Sequence, residues 1–408
     1  MLKIFKLDQL TYVSVLILAI FLFVSFLVSA LHHILIIVPG VFYLYKNWKD
    51  NNLKLSYSSW ALLGVVVMAI LSVVFNNVPN PMRIILKLRY FLIGILLIFA
   101  LEAWLKENAT VKKIKWLIYL FLICATIASL SGLVAKYFGY NYLKMKPACH
   151  AERTCGMYGM YMTYAYGMQF FLIINLALIL FYKKFVVKLN LPLLIIVFLI
   201  NGISFYLSYA RGAYVGLFVA LSFFFLRKNL KIFFMMGIGL ILLAAIVFFT
   251  VPQIKETFTD HSRLISNDQR TSQYKTAWRV GLENPFLGLG YRNFEPQSRE
   301  LKTKWGIAYP EFQGHAHNNF LEHLASTGFI GFIFLILFHI FWFIESYKRK
   351  DSLGDCAMAF VVALTASGMV QYTLGDGENL LLIMVFYAIT QMRLPINGDA
   401  YKSIKILT

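Results

Sequence analysis

The chain has 408 residues, of which 60% are hydrophobic and 14% charged. Soluble domains carry roughly a quarter charged residues, so this composition excludes an ordinary water-soluble fold and points to a polytopic membrane protein. The formal net charge of +19 would suggest a nucleic-acid partner in a soluble chain. Here a positive-inside bias is the better account, and no nucleic acid is expected.

The apolar runs are continuous rather than alternating. Backbone groups in lipid must be satisfied internally, so the expected fold class is all-α rather than a barrel. In chain order the expected spans are roughly 10–30, 32–45, 56–76, 84–105, 116–136, 161–182, 189–209, 212–226, 232–251, 318–346, 353–373 and 380–393, about twelve in all. Residues 1–408 are read as one integral membrane domain, with 252–317 as a large loop between the ninth and tenth spans. Lys3 and Lys6 precede a run ending in "LVSA" at Ala30, as in a signal peptide. That run begins near Leu10 and is too long for a signal sequence, so an uncleaved first helix is expected.

Orientation follows from charge. With the N-terminus inside, the short inner loops hold 21 of the 38 Lys and Arg residues, from Lys3 and Lys6 to Lys402 and Lys405. The short outer turns, near 31–33 and 374–379, hold none. Both termini are therefore expected in the cytoplasm and 252–317 outside. Cys124 and Cys356 fall within spans. Cys149 and Cys155 share the outer loop "KPACHAERTCG", where an oxidising compartment permits a small disulfide clip. A metal pair completed by His150 is the less favoured reading of that loop, and no metal or other cofactor is expected.

The other 17 basic residues lie on or near the outer side, against the bias. Arg211, in "LSYARGAYVG", sits where spans seven and eight meet, with no acidic residue within twenty positions. An arginine there is costly unless paired or hydrated, which makes it a functional candidate; interfacial snorkelling is the plain alternative. In the loop, Arg270–Val280 suits an amphipathic helix lying on the membrane, broken by Pro285, Gly288 and Gly290. Arg270 and Tyr274 share a face, and Lys275 and Arg279 another. A guanidinium donates bidentately to phosphate, although for Arg279 and Arg292 a solvated or headgroup contact is the expectation. Arg83 and Lys87 fall on one helical face at the start of span four and suit lipid phosphates or substrate; Arg89 does not share that face.

His315 and His317 close the loop in "GHAHNNFLEHLASTGFIGF". Either imidazole can serve as a general base near neutral pH. A metal site assembled with His261, Asp268 or Glu311 ranks below that, for want of ligand spacing. Asn318 or Asn319 can cap span ten, and Gly328 and Gly331 suit close helix packing. The residues alone describe an outward-facing, arginine-rich site with a histidine base and an anionic, lipid-linked substrate.

At these motifs the chain resembles the O-antigen ligase family of the O-antigen ligase/polymerase superfamily. The resemblance rests on "AHNNFLEHLASTGFIG", on Arg270 followed by Tyr274 and "NPFLGLG", and on "ARGAY" in a middle span. It implies a GT-C-like glycosyltransferase of the bacterial inner membrane with a periplasmic active site. Such enzymes move a polysaccharide from undecaprenyl diphosphate to a sugar hydroxyl of lipid A–core, without a metal. Carried over by position, Arg211 and Arg270 would hold the diphosphate, and His317, or more weakly His315, would take the acceptor proton. An O-antigen polymerase and a protein O-oligosaccharyltransferase are the alternatives within the superfamily. A lipid-linked glycan transporter is the alternative of another class. It would need polar groups along a midplane path, whereas here the charges stop at the outer side.

Overall fold

The computed structural model describes residues 7–21, 29–107, 109–184, 187–228 and 261–392. The expected ninth span, 232–251, and both chain ends lie outside the described residues. The described part is helical, with α1 Leu7–Phe21, α2 Ser29–Lys49, α3 Tyr57–Phe75, α4 Pro81–Ile85, α5 Arg89–Glu107, α6 Val111–Phe138, α7 Tyr161–Leu180, α8 Leu191–Tyr206 and α9 Arg211–Lys228. After the undescribed stretch come α10 His261–Glu283, α11 Phe294–Trp305, α12 Asn319–Arg349, α13 Ser352–Gly368 and α14 Gly377–Gln391. Among the described residues five helices are long and apolar enough to cross a membrane: Tyr57–Phe75, Pro81–Lys106, Val111–Phe138, Tyr161–Leu180 and Asn319–Arg349.

Polar caps mark where the apolar runs begin. Ser56 accepts from the Ser59 amide before α3, Thr110 from Lys113 before α6, and Asp351 from Gly354 before α13. The 32–45 run is part of a longer helix, α2, which carries Pro39 inside it and ends on Lys46 and Lys49. A 3₁₀ turn at Leu86–Leu88 separates α4 from α5. It tightens the chain between Arg83 and Lys87, so their four-residue spacing does not fix a common face.

Helix α12 is central. It packs on α3 and α13; α13 packs on α9, and α14 on α5. Trp342 and Phe338 of α12 meet Tyr387 of α14, and Phe360 of α13 stacks on Phe386 at 4.4 Å. Exposed apolar side chains, such as Val67 and Val74 on α3 and Ile196, Leu199 and Ile203 on α8, face away from this core, as a lipid-facing surface does. Between α6 and α7, β1 (Tyr140–Asn141) pairs antiparallel with β2 (Lys146–Pro147). Cys149 and Cys155 are joined just beyond, with Cα atoms 6.3 Å apart.

The 261–318 segment holds more helix than its sequence reading. Helix α10 is longer than Arg270–Val280. Its Ser272, Gln273, Thr276, Ala277 and Val280 are buried, while Trp278 and Leu282 are exposed. The buried side is therefore small or polar, and it lies against protein. Ala277 and Val280 join Phe294, Ala316 and Ala325 in a small second core between α10, α11 and the head of α12.

The "NPFLGLG" turn locks this lobe to α12. The Leu289 amide donates to Ala325 O at 2.8 Å, and the Phe329 amide to Pro285 O at 2.7 Å. Helix α12 kinks where they meet, at Gly328, with φ 69° and ψ −174°. That region is nearly restricted to glycine. A Cβ on Gly328 would also lie 2.5 Å from Pro285 O, and one on Gly288 would strike Ala325 O. Gly331 faces Met68 of α3 across the helix seam. Gly328→Ala is expected to cost about 3 kcal/mol or more, read as a lower thermal unfolding midpoint in detergent. An unchanged midpoint would mean that the turn does not hold the kink.

Candidate active site at the head of helix α12

The stretch Gly314–Asn318 is a loop pinned at nearly every residue. Gly314 N donates to Ser298 Oγ at 3.2 Å and Ala316 N to Glu322 Oε2 at 2.7 Å. Asn318 is the cap: its Oδ1 accepts from the amides of Phe320 and Leu321 at 2.8 and 3.0 Å. Its Nδ2 donates to Met369 O at 2.9 Å. Asn319 does different work. It donates to Thr373 Oγ1 at 2.9 Å and accepts from the Leu374 amide at 3.1 Å, tying α12 to the α13–α14 turn. Buried Lys302 donates to Phe312 O at 2.6 Å and holds the approach to the loop from below.

These anchors present two adjacent imidazoles. The rings of His315 and His317 are 4.2 Å apart. His317 has φ +47°, a left-handed position that turns its side chain out of the run into α12. Its Nδ1 lies 3.0 Å from Gln371 Oε1. An amide oxygen only accepts, so Nδ1 carries the proton and Nε2 keeps the lone pair. Burial lowers the His317 pKa from 6.5 to about 4; the neighbouring His315 and Arg270 push the same way, and the Gln371 hydrogen bond opposes them. His315 is also lowered to about 4, by burial and then by the Arg270 and Arg292 guanidiniums. Both imidazoles are neutral at pH 7.

Cations gather from three directions. Tyr274 places its hydroxyl 3.4 Å from both His317 O and Met369 O, and Arg270 stands one turn earlier on α10. With the described residues, half-buried Arg270 makes no ion pair. Arg211 opens α9 and is exposed. A Cβ on the following residue, Gly212, would strike the Tyr166 hydroxyl and lie 2.9 Å from Val370 Cγ2, next to Gln371. The fold thus brings Arg211, Arg270, Tyr274, His315 and His317 to one end of the bundle.

Arg292 departs from the expected solvated contact. It is half-buried, has φ +62° and donates to Gly375 O. It faces inward because its turn is fixed: the Tyr291 amide donates to Ser72 Oγ at 3.0 Å, and Asn293 Nδ2 to Leu289 O at 2.9 Å. Among the described residues Arg292 Nε is buried with no hydrogen-bond partner. Asp376 was also not singled out by the sequence. Its carboxylate accepts from Thr163 Oγ1 at 3.1 Å and from Asn379 Nδ2 at 3.3 Å. Burial raises its pKa to about 6, against the pull of the Thr163 hydrogen bond and of Arg292, while Glu378 adds to the rise.

Lys87 lies near enough to Arg292 for the two charges to interact, and the other expected residues lie elsewhere. Arg279 pairs with Glu283 at 3.2 Å on the exposed side of α10 and lies 4.8 Å over the Trp305 ring. Arg83 is exposed on α4 and Lys87 half-buried in the 3₁₀ turn. His150 Nδ1 accepts from the Glu152 amide at 3.1 Å and adjoins bonded cysteines. Among the described residues no three His, Cys, Asp or Glu side chains converge as a metal site would need.

The arrangement offers a neutral base with a defined lone pair beside guanidiniums suited to an anion. No curated protein matches the chain. Residues 194–336, about a third of the chain, match the family model described as O-antigen ligase. That stretch holds Arg211, Arg270, Arg292 and both histidines, and the match supports the same O-antigen ligase family that the sequence resembles.

Proposed function

We propose that this protein is an O-antigen ligase of the bacterial inner membrane, acting on the periplasmic side. Its substrates on this reading are an undecaprenyl diphosphate-linked polysaccharide and a lipid A–core acceptor. The acceptor hydroxyl oxygen attacks the anomeric carbon of the donor sugar as its proton passes to His317 Nε2. The bond from that carbon to the diphosphate oxygen breaks, and undecaprenyl diphosphate leaves with the electron pair. Arg270 and Arg211, joined by Arg292, take up the charge that develops on the leaving oxygen. A diphosphate departs readily, so no protein nucleophile is required. Both substrates are held in one membrane, which favours alignment. Twelve spans, with both termini in the cytoplasm, put the histidine loop outside.

The observation that carries this reading is the His317 imidazole, its Nδ1 bound to Gln371 and its ring beside Arg270. An O-antigen polymerase would use the same donor with a second lipid-linked repeat as acceptor, and a deletion strain separates the two. Lipopolysaccharide on a gel should show bare core, with lipid-linked polymer accumulating, and the full ladder should return when the chain is supplied. Core bearing a single repeat would replace the ligase reading with the polymerase one. An unchanged ladder in the deletion strain would remove both.

A further inference from the structure

A second cationic feature lies outside the histidine loop. The β1–β2 hairpin and the disulfide turn enclose a cavity of about 250 Å³, lined by Gly132, Ala135, Lys144, Lys146, Arg153 and Tyr158 among others. Three of these side chains are cations, and among the described residues no acid lines the void. Among the described residues none of the three forms an ion pair. Burial and the charge of Lys146 lower the Lys144 pKa, and Glu378 only partly offsets this. Like charges held together in this way favour an anion between them.

The cations are placed by the fold rather than left loose. Asn141 is buried. It accepts from Ser131 Oγ at 2.8 Å and from the Lys144 amide at 3.1 Å, and donates to Gly156 O at 3.1 Å. Arg153 lies 4.3 Å over the Tyr161 ring, which leaves its edge N–H groups to donate sideways. The Cys149–Cys155 bond closes the turn between Lys146 and Arg153. Small residues keep the space open: Gly132 lies against the Gly156 backbone, and Ala135 is buried.

We propose that this cavity is a binding site for a phosphate-bearing group, gripped by Lys144, Lys146 and Arg153. The phosphate is borne either by a sugar of a glycan substrate or by a lipid headgroup. The cavity backs on to the candidate active site. A Cβ on Gly167 would be 3.7 Å from Tyr158 Oη and 2.9 Å from Asn379 Oδ1, and Asn379 is hydrogen-bonded to Asp376. A glycan with its phosphate here therefore approaches the Asp376 side of the histidine loop. That last step rests on the proposed function; the binding site does not.

The test uses the full chain in phosphatidylcholine nanodiscs, with amine acylation of individual lysines read by mass spectrometry. Millimolar glucose 6-phosphate is the first probe, with glucose as its control. Nanodiscs of phosphatidylglycerol, without added sugar, are the second. Several-fold protection of Lys144 and Lys146, but not of exposed Lys183, is expected in at least one arm. The sugar-phosphate arm identifies a glycan-borne phosphate and the phosphatidylglycerol arm a headgroup. Arg153→Gln should abolish the protection, and Ala135→Leu, which fills the void without touching a charge, should do the same. Equal labelling in both arms, or protection that Lys183 shares, overturns the proposal. No transferase activity enters this readout, so its failure is distinct from failure of the ligase reading.

Discussion

His317→Ala is expected to lower the transfer rate by about 10²–10⁴-fold, the usual contribution of a positioned base, with little loss of folded protein. Among the described residues the His317 side chain makes one hydrogen bond, to Gln371. The loop's other anchors run through Gly314, Ala316 and Asn318 and remain after the substitution. The rate should also depend on pH in a particular way. A base works only when neutral, so activity falls as pH drops through its pKa. Burial, His315 and Arg270 put that pKa near 4 rather than 6.5. The acid limb of kcat/KM, which reports the free enzyme, should lie near pH 4, with a plateau through pH 6. Gln371→Glu puts a carboxylate on Nδ1–H, favours the imidazolium and should move the limb upward. Full activity in the alanine variant would remove His317 from the reaction. A limb that ignores Gln371→Glu would break the link between the two side chains.

Arg270→Ala is expected to cost about 10²–10³-fold in kcat, as for loss of one donor to a developing anion. Arg270→Lys should be nearly as damaging. A lysine keeps the charge but loses the planar fork that donates two parallel bonds to phosphate. Arg270 stands one turn from Tyr274, whose hydroxyl reaches His317 O, so the guanidinium and the base share one frame. Arg279→Ala is the internal control. Its partners are Glu283, on the exposed side of the same helix, and the half-buried ring of Trp305 at the end of α11, and exposed ion pairs contribute little. Wild-type turnover in the lysine variant would show that charge alone suffices there. Equal losses at 270 and 279 would point to damage of α10 as a whole.

What could be read in advance follows from what sequence periodicity contains. The apolar runs announced the helices, because lipid imposes continuous hydrophobicity on each. His315, His317 and the Asn318 cap were legible because they are neighbours in the chain. Gln371 was not, since it lies 54 residues beyond His317 and meets it only through the packing of α12 and α13. Arg292 was misread because a loop arginine looks solvated until its turn is seen locked by Ser72, another long-range contact. Asp376 is one more polar residue in a short turn until Thr163 of α7 is seen to hold it half-buried. The full length of α10 escaped the sequence for a related reason: its buried Ser272, Gln273 and Thr276 carry no hydrophobic signal.

The kink at Gly328 alters where the membrane can begin. The stretch Asn319–Thr327 is interlocked with the NPFLGLG turn and, through Asn319, with the α13–α14 turn, whereas Phe329–Arg349 packs within the bundle. Those lower residues rise roughly 31 Å at 1.5 Å per residue, about the thickness of a hydrocarbon core. On the proposed reading His317 therefore stands some two to three helical turns clear of the acyl chains. That is the height of the headgroup layer, where a polyprenyl diphosphate carries its phosphates while its tail stays in oil. On that same reading the glycine sets the depth of the chemistry, and the tail of the proposed donor need not leave the bilayer for its sugar to be transferred.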